Sequence, residues 1–421
     1  MNQTLLIAGG GIGGMAAALA CARAGTPVTL LEQAAEFAEV GAGIQLGPNA
    51  VRVLADWGLT DALEAVAAFP EQLRVRDAHS GGTLGELRLG QRAADTYGQP
   101  YATIHRADAH QMLLTAVQAL GAGGHPVPEL HLNERLYTLD ESLGGVVARA
   151  ESGLLCEGGA LVGADGLWSV VRPHVMDGPA RVHDSLAAAQ EAPPRFSGHL
   201  AYRGMVSQSD LPAALRNRNV TAWLGPRLHV VHYPVCAGQK VNIVAVVHGQ
   251  PSGNPTSWTH QAHSDDLMAA LGPVHRDLQG MLDAVPQWRL WPLNDRPPMT
   301  GAYAQARGRV ALLGDAAHPM RPYLAQGAAM ALEDAWTLGQ LLCSARSQPV
   351  TPWEGLFQRY AEVRWKRNAR VQAHSARNGR IFHAEGLVRR GRDWAMALGG
   401  EWLLDNPWLY SGPPMPSVFH S

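Results

Sequence analysis

The spacing Gly9-x-Gly11-x-x-Gly14, set directly after the apolar run Thr4–Ala8, constrains this chain more than any other feature. A strand ending on such a cluster must turn tightly into a helix. The first glycine permits the turn, Gly11 lets the backbone approach a pyrophosphate, and Gly14 lets helix and strand pack closely. The helix then presents free N–H groups and the positive end of its dipole to an anion. Met15–Ala24 is Ala-rich and helical, Gly25 is placed to end it, and Pro27–Leu31 is a second apolar strand closing on Glu32. An acid at that point accepts hydrogen bonds from a ribose diol. Strand, glycine turn, helix, strand and acid together specify a dinucleotide-binding unit, with FAD and NAD both still open.

No charged residue occurs from Leu5 to Ala22, which imitates a membrane span. The glycines inside the run, and the lack of a basic stretch before it, mark a turn between two elements instead. Neither a signal peptide nor an integral membrane segment is expected. The formal net charge of −2 supplies no field for nucleic acid or an acidic membrane. With 46% hydrophobic and 17% charged residues the chain is not disordered. Cys21, Cys156, Cys236 and Cys343 form no CxxC pair, so neither a zinc ribbon nor a disulfide scaffold is expected, and a cytoplasmic location is.

At roughly 150 residues per domain, the length implies two to three domains. Helices are expected over Ala50–Trp57 and Ala107–Leu120, and strands over Leu136–Leu139 and Gly145–Ala150. Leu161–Val162 leads into Gly163-Ala-Asp165-Gly166. From Asp177 to Pro298 the apolar runs are short: Leu200–Val206, Val220–Leu224, Leu228–Pro234 and Val241–Val247. Pro, Gly and Asn break them, as in a mostly antiparallel sheet. Arg309–Leu313 is again a buried-type strand, closing on Gly314-Asp315, and a helix follows from Gly327 to Cys343. The expected fold is α/β: a Rossmann-type nucleotide domain in two parts (1–176 and 299–345), an inserted substrate-binding sheet domain (177–298), and a C-terminal helical region (346–421). That last region is basic and Trp-rich, and its charges are expected to form the solvated face of a long helix.

Asp165 and Asp315 each follow a strand, where ligands bind to an open α/β sheet. A ligand reaching from residues 9–32 to 315 must be long, which favours FAD. These pieces resemble the class A FAD-dependent aromatic hydroxylases, the para-hydroxybenzoate hydroxylase superfamily. The resemblance rests on the Gly9 motif with Glu32, Gly163-Ala-Asp165-Gly166, and Leu313-Gly314-Asp315-Ala-Ala-His318-Pro319, in the family's order. Within the family the chain most resembles the 3-hydroxybenzoate 6-hydroxylases, through Gly41-Ala-Gly-Ile-Gln45-Leu-Gly-Pro-Asn49, Ile104-His-Arg106, Ala201-Tyr-Arg-Gly204, Gly225-Pro-Arg-Leu-His229-Val-Val-His-Tyr233-Pro234 and Tyr323-Leu-Ala-Gln-Gly327.

The resemblance implies an NADH- or NADPH-consuming monooxygenase that delivers one oxygen of O2 to a phenolic acid from a flavin C4a-hydroperoxide. The best match is 3-hydroxybenzoate giving 2,5-dihydroxybenzoate. It implies that the Gly9 motif and Glu32 hold the ADP part of FAD. Arg106 would contact the pyrophosphate or ribityl region, Asp165 would lie near the pyrophosphate and the pyridine nucleotide approach, Gly314 and Asp315 at the ribityl hydroxyls, and the helix starting at Gly327 would face flavin N1–C2=O. A monomer or homodimer is expected, and the nicotinamide is not specified, because Glu32 reports on the FAD ribose.

For the substrate, strand alternation puts His229, Val231 and Tyr233 on one face and His232 on the other. The HxxH spacing is therefore no ligand pair. No HExxH or carboxylate triad occurs elsewhere, and no metal is expected. A phenol with a pKa near 10 is ionised in only about one molecule in a thousand at pH 7, so a positioned base matters. The resemblance points to His229 as that base, Tyr233 as its relay or orienting partner, and Gln45, Pro322 and Tyr323 as pocket residues. A substrate carboxylate has Arg203, Arg227 and Arg321 as candidate partners. One position departs from the 3-hydroxybenzoate 6-hydroxylases, in which Gln typically precedes the tyrosine; here it is Pro322, as in salicylate and 6-hydroxynicotinate hydroxylases. Salicylate or a hydroxylated heteroaromatic ring is therefore an alternative substrate, and a non-enzymatic FAD scaffold a remote one.

Overall fold

A computed structural model describes residues 3–37, 42–142, 144–177, 192–250, 260–348 and 350–413. Gly41 of the matched segments lies outside them. Leu5–Ala8, buried at every position, pairs in parallel with Val28–Leu31 on one side and Ala160–Gly163 on the other. The Ile12–Arg23 helix connects the first two strands, and its alanines and glycines let it pack tightly against the Gly327–Ala345 helix. In spatial order the sheet runs Ala306–Arg307, Val310–Leu312, Ala160–Gly163, Leu5–Ala8, Val28–Leu31, Glu129–His131. Only the first pair is antiparallel.

Backbone hydrogen bonds step across the carboxyl ends of these parallel strands. Glu32 N–H donates to His131 (2.8 Å), Gly9 to Leu31 (2.8 Å), Ala164 to Ala8 (2.8 Å) and Leu313 to Gly163 (3.0 Å). The Gly9 turn, Asp165 and Gly314-Asp315, far apart in sequence, thus emerge along one edge. That edge is the crevice where open α/β sheets bind ligands.

The second large sheet runs His260–Ala262, Trp288–Asp295, Arg195–Ser207, Lys240–His248, Leu228–Val235, Val220–Gly225, Gln72–Asp77, Thr83–Arg88. It is antiparallel apart from Val220–Gly225 beside Gln72–Asp77. Two of its strands thus come from before residue 177, out of a stretch whose arginines and acids mask its alternation in the sequence. One face carries Leu228, Val230, Ile243 and Ala245, closed over by the helices Ser264–Leu271 and Arg276–Asp283 through Leu267, Leu271, Leu278 and Met281. The opposite face, with Ala201, Val246 and Tyr233, turns toward the nucleotide domain. Elsewhere, the helix expected from Ala50 begins two residues earlier at Pro48, whose fixed φ and missing N–H suit a first helical position.

His232 lies on the helix-covered face. It is buried, and its Nδ1 is 3.3 Å from Asn217 Nδ2. Burial, aided by the charge of Arg76, lowers its pKa from 6.5 to about 4. Between those values the unfolded chain binds the extra proton, so this residue's effect is to drain stability as pH falls below about 6.5. His232→Gln is expected to reduce the stability difference between pH 7.5 and pH 4.5 by about 2–3 kcal/mol, measured by urea unfolding. A pH dependence identical to that of the parent chain would show that the ring is accommodated as an imidazolium.

Candidate active site

At the glycine turn, Gly9 has φ +100°, and a Cβ there would lie 2.5 Å from the Ala164 carbonyl oxygen. At Gly14 a Cβ would fall 1.9 Å from the Gly9 oxygen. No other residue fits either place, so the turn holds the helix end close against the strand edge. Gly11 is the N-cap and offers no side chain to the first N–H groups of the helix. Glu32 Oε2 accepts from Gly10 N–H (2.6 Å) and Oε1 from Ala34 N–H (2.8 Å), with acceptor capacity left on both oxygens. His110, not singled out in the sequence, braces this turn through Nε2 at 2.6 Å from the Gly10 carbonyl oxygen.

Asp165 Oδ2 accepts from the N–H groups of Val170 (2.7 Å) and Val171 (3.2 Å). Its Oδ1 is buried with no partner among the described residues. Burial raises its pKa, against hydrogen bonds from Ser169, Val171 and Val170. Asp315 is exposed along the crevice edge, with neighbouring protein raising its pKa by desolvation, opposed by the charges of His318 and Arg106. Its Oδ1 lies 3.9 Å from where a Cβ on Gly327 would be, beside the start of the Gly327–Ala345 helix. That helix has neither a side-chain cap nor an acid in its first turn. The crevice therefore offers uncapped N–H groups at two helix starts and an unsatisfied buried acceptor, which fits a long ligand with anionic and hydroxyl-bearing parts such as FAD.

A buried ionic cluster lies beneath. Asp334 Oδ2 accepts from Gly314 N–H (3.1 Å) and lies 2.5 Å from His318 Nε2. Arg364 donates to Asp334 Oδ1 (2.7 Å) and Glu333 Oε2 (2.8 Å), and Arg367 donates to Glu333 Oε2 (2.6 Å). Asn49 Nδ2 donates to Glu333 Oε1 (2.8 Å). Burial raises the Asp334 pKa, but His318 and Arg364 beside it outweigh that and hold the carboxyl far below its usual range. The long helix does carry the expected solvated basic face, with Arg359, Lys366, Arg370, Arg377 and Arg380 exposed, but Arg364 departs from it at 1% exposed. Its partners sit on another helix, and the signal that could have revealed them is the pair of acids Glu333-Asp334 inside an otherwise apolar helical run.

The inner face of the second sheet forms a wall in cross-strand rows. Ala201, Val246 and His229 make one row; Arg203, Val244 and Val231 the next; Met205, Asn242 and Tyr233 the third. The two-stranded antiparallel sheet of Gly43–Leu46 and Ala102–His105 packs against the third row, with Gly43 N–H donating to Asn242 Oδ1 (2.7 Å). It delivers Gln45, whose Oε1 accepts from Tyr101 Oη (2.8 Å). It also delivers Arg106, whose charge reaches both Asp315 and Arg203. Burial raises the Tyr233 phenol pKa, eased by the charge of Arg203 and a hydrogen bond with Gln45. Tyr323 is buried with its ring 5.1 Å from that of His229, and its Oη has no partner among the described residues. Pro322 is exposed at the start of the Pro322–Leu324 turn.

The three candidate arginines now differ. Arg321 is paired with Asp295 (2.5 Å), and Arg227 is exposed. Arg203 lies over Trp291 at 4.8 Å, and its buried Nε has no partner among the described residues. Burial lowers its pKa. His229 is also buried, and burial, with His199 nearby, lowers its pKa to about 3. Its Nδ1 is 2.7 Å from Nε2 of His383, another residue that sequence reasoning missed. His229 and His232 do face opposite ways. The expectation of no metal-ligand set nevertheless left out His199, His248 and His383, whose ring nitrogens meet within 4.8 Å of one another.

Comparison with known proteins agrees with this crevice. A family described as an FAD binding domain matches residues 2–375. The chain is 36% identical over 390 residues to a 3-hydroxybenzoate 6-hydroxylase of Polaromonas naphthalenivorans (strain CJ2), covering 92% of this chain and 90% of that protein. It is 35% identical over 413 residues to the 3-amino-4-hydroxybenzoate 2-monooxygenase PtmB3 of Streptomyces platensis, covering 98% and 96%. Among solved structures, Klebsiella pneumoniae HpxO complexed with FAD and uric acid superposes with a TM-score of 0.80 at 21% identity, covering 97% and 96%.

Removing the arginine from the buried cluster leaves carboxylates without their counter-charge. Arg364→Met is expected to cost about 3–5 kcal/mol in unfolding free energy, measured by denaturant titration. A loss below about 1 kcal/mol would mean that Arg367 and His318 alone neutralise Glu333 and Asp334.

Proposed function

We propose, since this chain belongs to the FAD-binding family of aromatic monooxygenases, that its substrate is a benzoate with an electron-donating group at C3. Oxygen enters next to the carboxylated carbon, and 3-hydroxybenzoate giving 2,5-dihydroxybenzoate is the best match. The enzyme is an FAD-dependent hydroxylase using NADH or NADPH. The names of the two relatives differ in ring position, 6 against 2, but both positions adjoin C1 and both are activated by a C3 substituent, hydroxyl or amino. The observation that carries this reading is Arg203: a half-buried cation whose buried Nε lacks a partner among the described residues, on the same wall as His229 and Tyr233.

Bound FAD, once reduced, supplies the activated oxygen. The residues of this chain do the rest. Arg203 holds the substrate carboxylate, and the aromatic face of Trp291 keeps the guanidinium in place. His229 accepts the proton of the ring hydroxyl. An imidazole held near a pKa of 3 is neutral at pH 7 and so can accept. The phenolate formed beside it then supplies the counter-charge that burial denies the imidazolium. Tyr233 and Gln45 orient the ring, and Tyr323, with its unpaired Oη, donates to the substrate oxygen. Asp315 holds ribityl hydroxyls, and the uncapped start of the Gly327–Ala345 helix favours negative charge on the reduced cofactor. Pro322 supports a second reading, salicylate attacked at its carboxylated carbon to give catechol and carbon dioxide.

Two measurements test this. The first incubates each acid with enzyme and both nicotinamides and identifies products by chromatography, together with Arg203→Met. We expect 2,5-dihydroxybenzoate from 3-hydroxybenzoate, and for the variant a KM raised roughly 10- to 150-fold, the worth of one charge-assisted hydrogen bond. Catechol from salicylate without turnover of 3-hydroxybenzoate would sink the first reading in favour of the second. The second measurement is the pH profile of His229→Ala in the presence of a chelator. Hydroxylation should fall at neutral pH and recover toward alkaline pH, while nicotinamide oxidation continues and releases hydrogen peroxide. Full product yield with an unshifted profile would remove His229 from the chemistry.

A further inference from the structure

We propose that His199, His248 and His383 form a binding site for a divalent transition-metal ion of the zinc type. His199 and His248 are directly opposite one another on the antiparallel strands Arg195–Ser207 and Lys240–His248, on the inner face of the sheet. His383 ends the Trp353–Phe382 helix, which reaches over that face from the far end of the chain. His199 Nε2 lies 3.0 Å from His248 Nε2, and His248 Nε2 lies 3.0 Å from His383 Nδ1.

Proton counting shows why a cation suits this place. A ring nitrogen carries either one proton or one lone pair. His248 Nε2 meets two other ring nitrogens and can satisfy only one of them as donor or as acceptor. Three lone pairs turned toward one cation remove the mismatch. The rings are arranged for this, with His199 at 85° to His248 and 74° to His383, splayed about a common point rather than stacked. Zinc–nitrogen bonds of about 2.0–2.1 Å in a tetrahedron separate the nitrogens by about 3.3 Å, so the two pairs at 3.0 Å need only small outward shifts, and the third lies within 4.8 Å.

The outer nitrogens are also held as in a ligand set. His383 Nε2 is 2.7 Å from His229 Nδ1, and His199 Nδ1 is 3.2 Å from Ser197 Oγ. Such second contacts fix the tautomer and aim the ring of a metal-bound histidine. Strand pairing shifts register between Phe196 and His199, the kind of bulge that re-aims a side chain. His199 and His383 are buried while His248 is partly open, which gives a route in and room for a water as fourth ligand. Glu385 offsets the charge of Arg227 beside His248. Three imidazoles with no carboxylate suit zinc, copper or nickel and exclude calcium and magnesium.

The site would pin the C-terminal helices to the substrate wall. It would also set the proton on His229. With a cation on Nδ1, His383 carries its hydrogen on Nε2 and donates to His229 Nδ1, so His229 presents Nε2–H to the pocket and the base role proposed for it is blocked while the cation is bound. Without the cation the opposite assignment is open, with Nε2 of His229 free to accept.

The test uses FAD-loaded full-length enzyme stripped with a chelator, titrated with Zn2+, desalted and analysed for metal by mass spectrometry, with melting temperature measured in parallel. We expect one equivalent of zinc per chain and a melting temperature that rises with zinc. His248→Ala, which changes the most open of the three ligands, should weaken binding by more than the roughly 10- to 100-fold that outer contacts cost, and should abolish the rise. His232→Gln, on the other sheet face, should bind as the parent does. Retention of zinc by His248→Ala equal to the parent, or no zinc retained by the parent, overturns the proposal. Neither outcome bears on which aromatic acid is hydroxylated.

Discussion

Arg364, set between Glu333 and Asp334, is the interaction on which the cofactor side of this molecule depends. Removing these charges from water costs several kcal/mol for each ion. That cost is met only because each carboxylate oxygen and guanidinium nitrogen named above finds a partner. One oxygen of Asp334 is spent on Gly314 N–H and His318, which gives the Gly314–His318 loop its shape and so sets where Asp315 emerges. The same helix begins at Gly327, beside Asp315. A buried ion cluster of this kind is weak evidence of stability but strong evidence of register: the helix Trp353–Phe382 cannot slide by a turn without stranding a charge.

The substrate side depends on a different constraint, the two-residue period of a strand. One face of the second sheet is given to Leu228, Val230, Ile243 and Ala245 under its own helices. The other is then left for His229, Arg203 and Tyr233, polar groups that a core would not accept. Burial in that wall lowers the pKa of His229 and raises that of Tyr233. Both groups are therefore neutral at pH 7, when one can accept a proton and the other can donate one. The nucleotide crevice and the wall meet through the small two-stranded sheet that ends at Arg106, whose charge is felt by Asp315 on one side and Arg203 on the other.

Much of this was legible in the residues. The Gly9 turn, the two strand-end aspartates and the alternation of His229 with Tyr233 follow from local rules, because a turn, a strand end and a strand face are each decided within a few residues. What was not legible depends on pairs distant in sequence. Arg364 reads as a surface charge until Glu333 and Asp334 are brought to it. His199, His248 and His383 are single histidines in three unrelated segments. Gln72–Asp77 looks too charged for a sheet strand until Val220–Gly225 pairs with it in parallel. Among the candidate arginines, only packing separated Arg203 from Arg321, which Asp295 already occupies.

The position of Arg364 in the chain has a consequence for how the enzyme is made. During synthesis, every residue assigned here to the FAD crevice has left the ribosome by the time Ala345 does. The loop bearing Asp315 nevertheless waits for a counter-ion that is translated later: Glu333 and Asp334 already have Asn49, Gly314 and His318 behind them in the chain but still lack their arginines. A nascent chain halted before Arg364 would hold the glycine turn and both helix starts, yet lack the clamp that shapes them into one crevice. The crevice is thereby completed only once the Trp353–Phe382 helix has been made and has docked its arginine against Glu333 and Asp334.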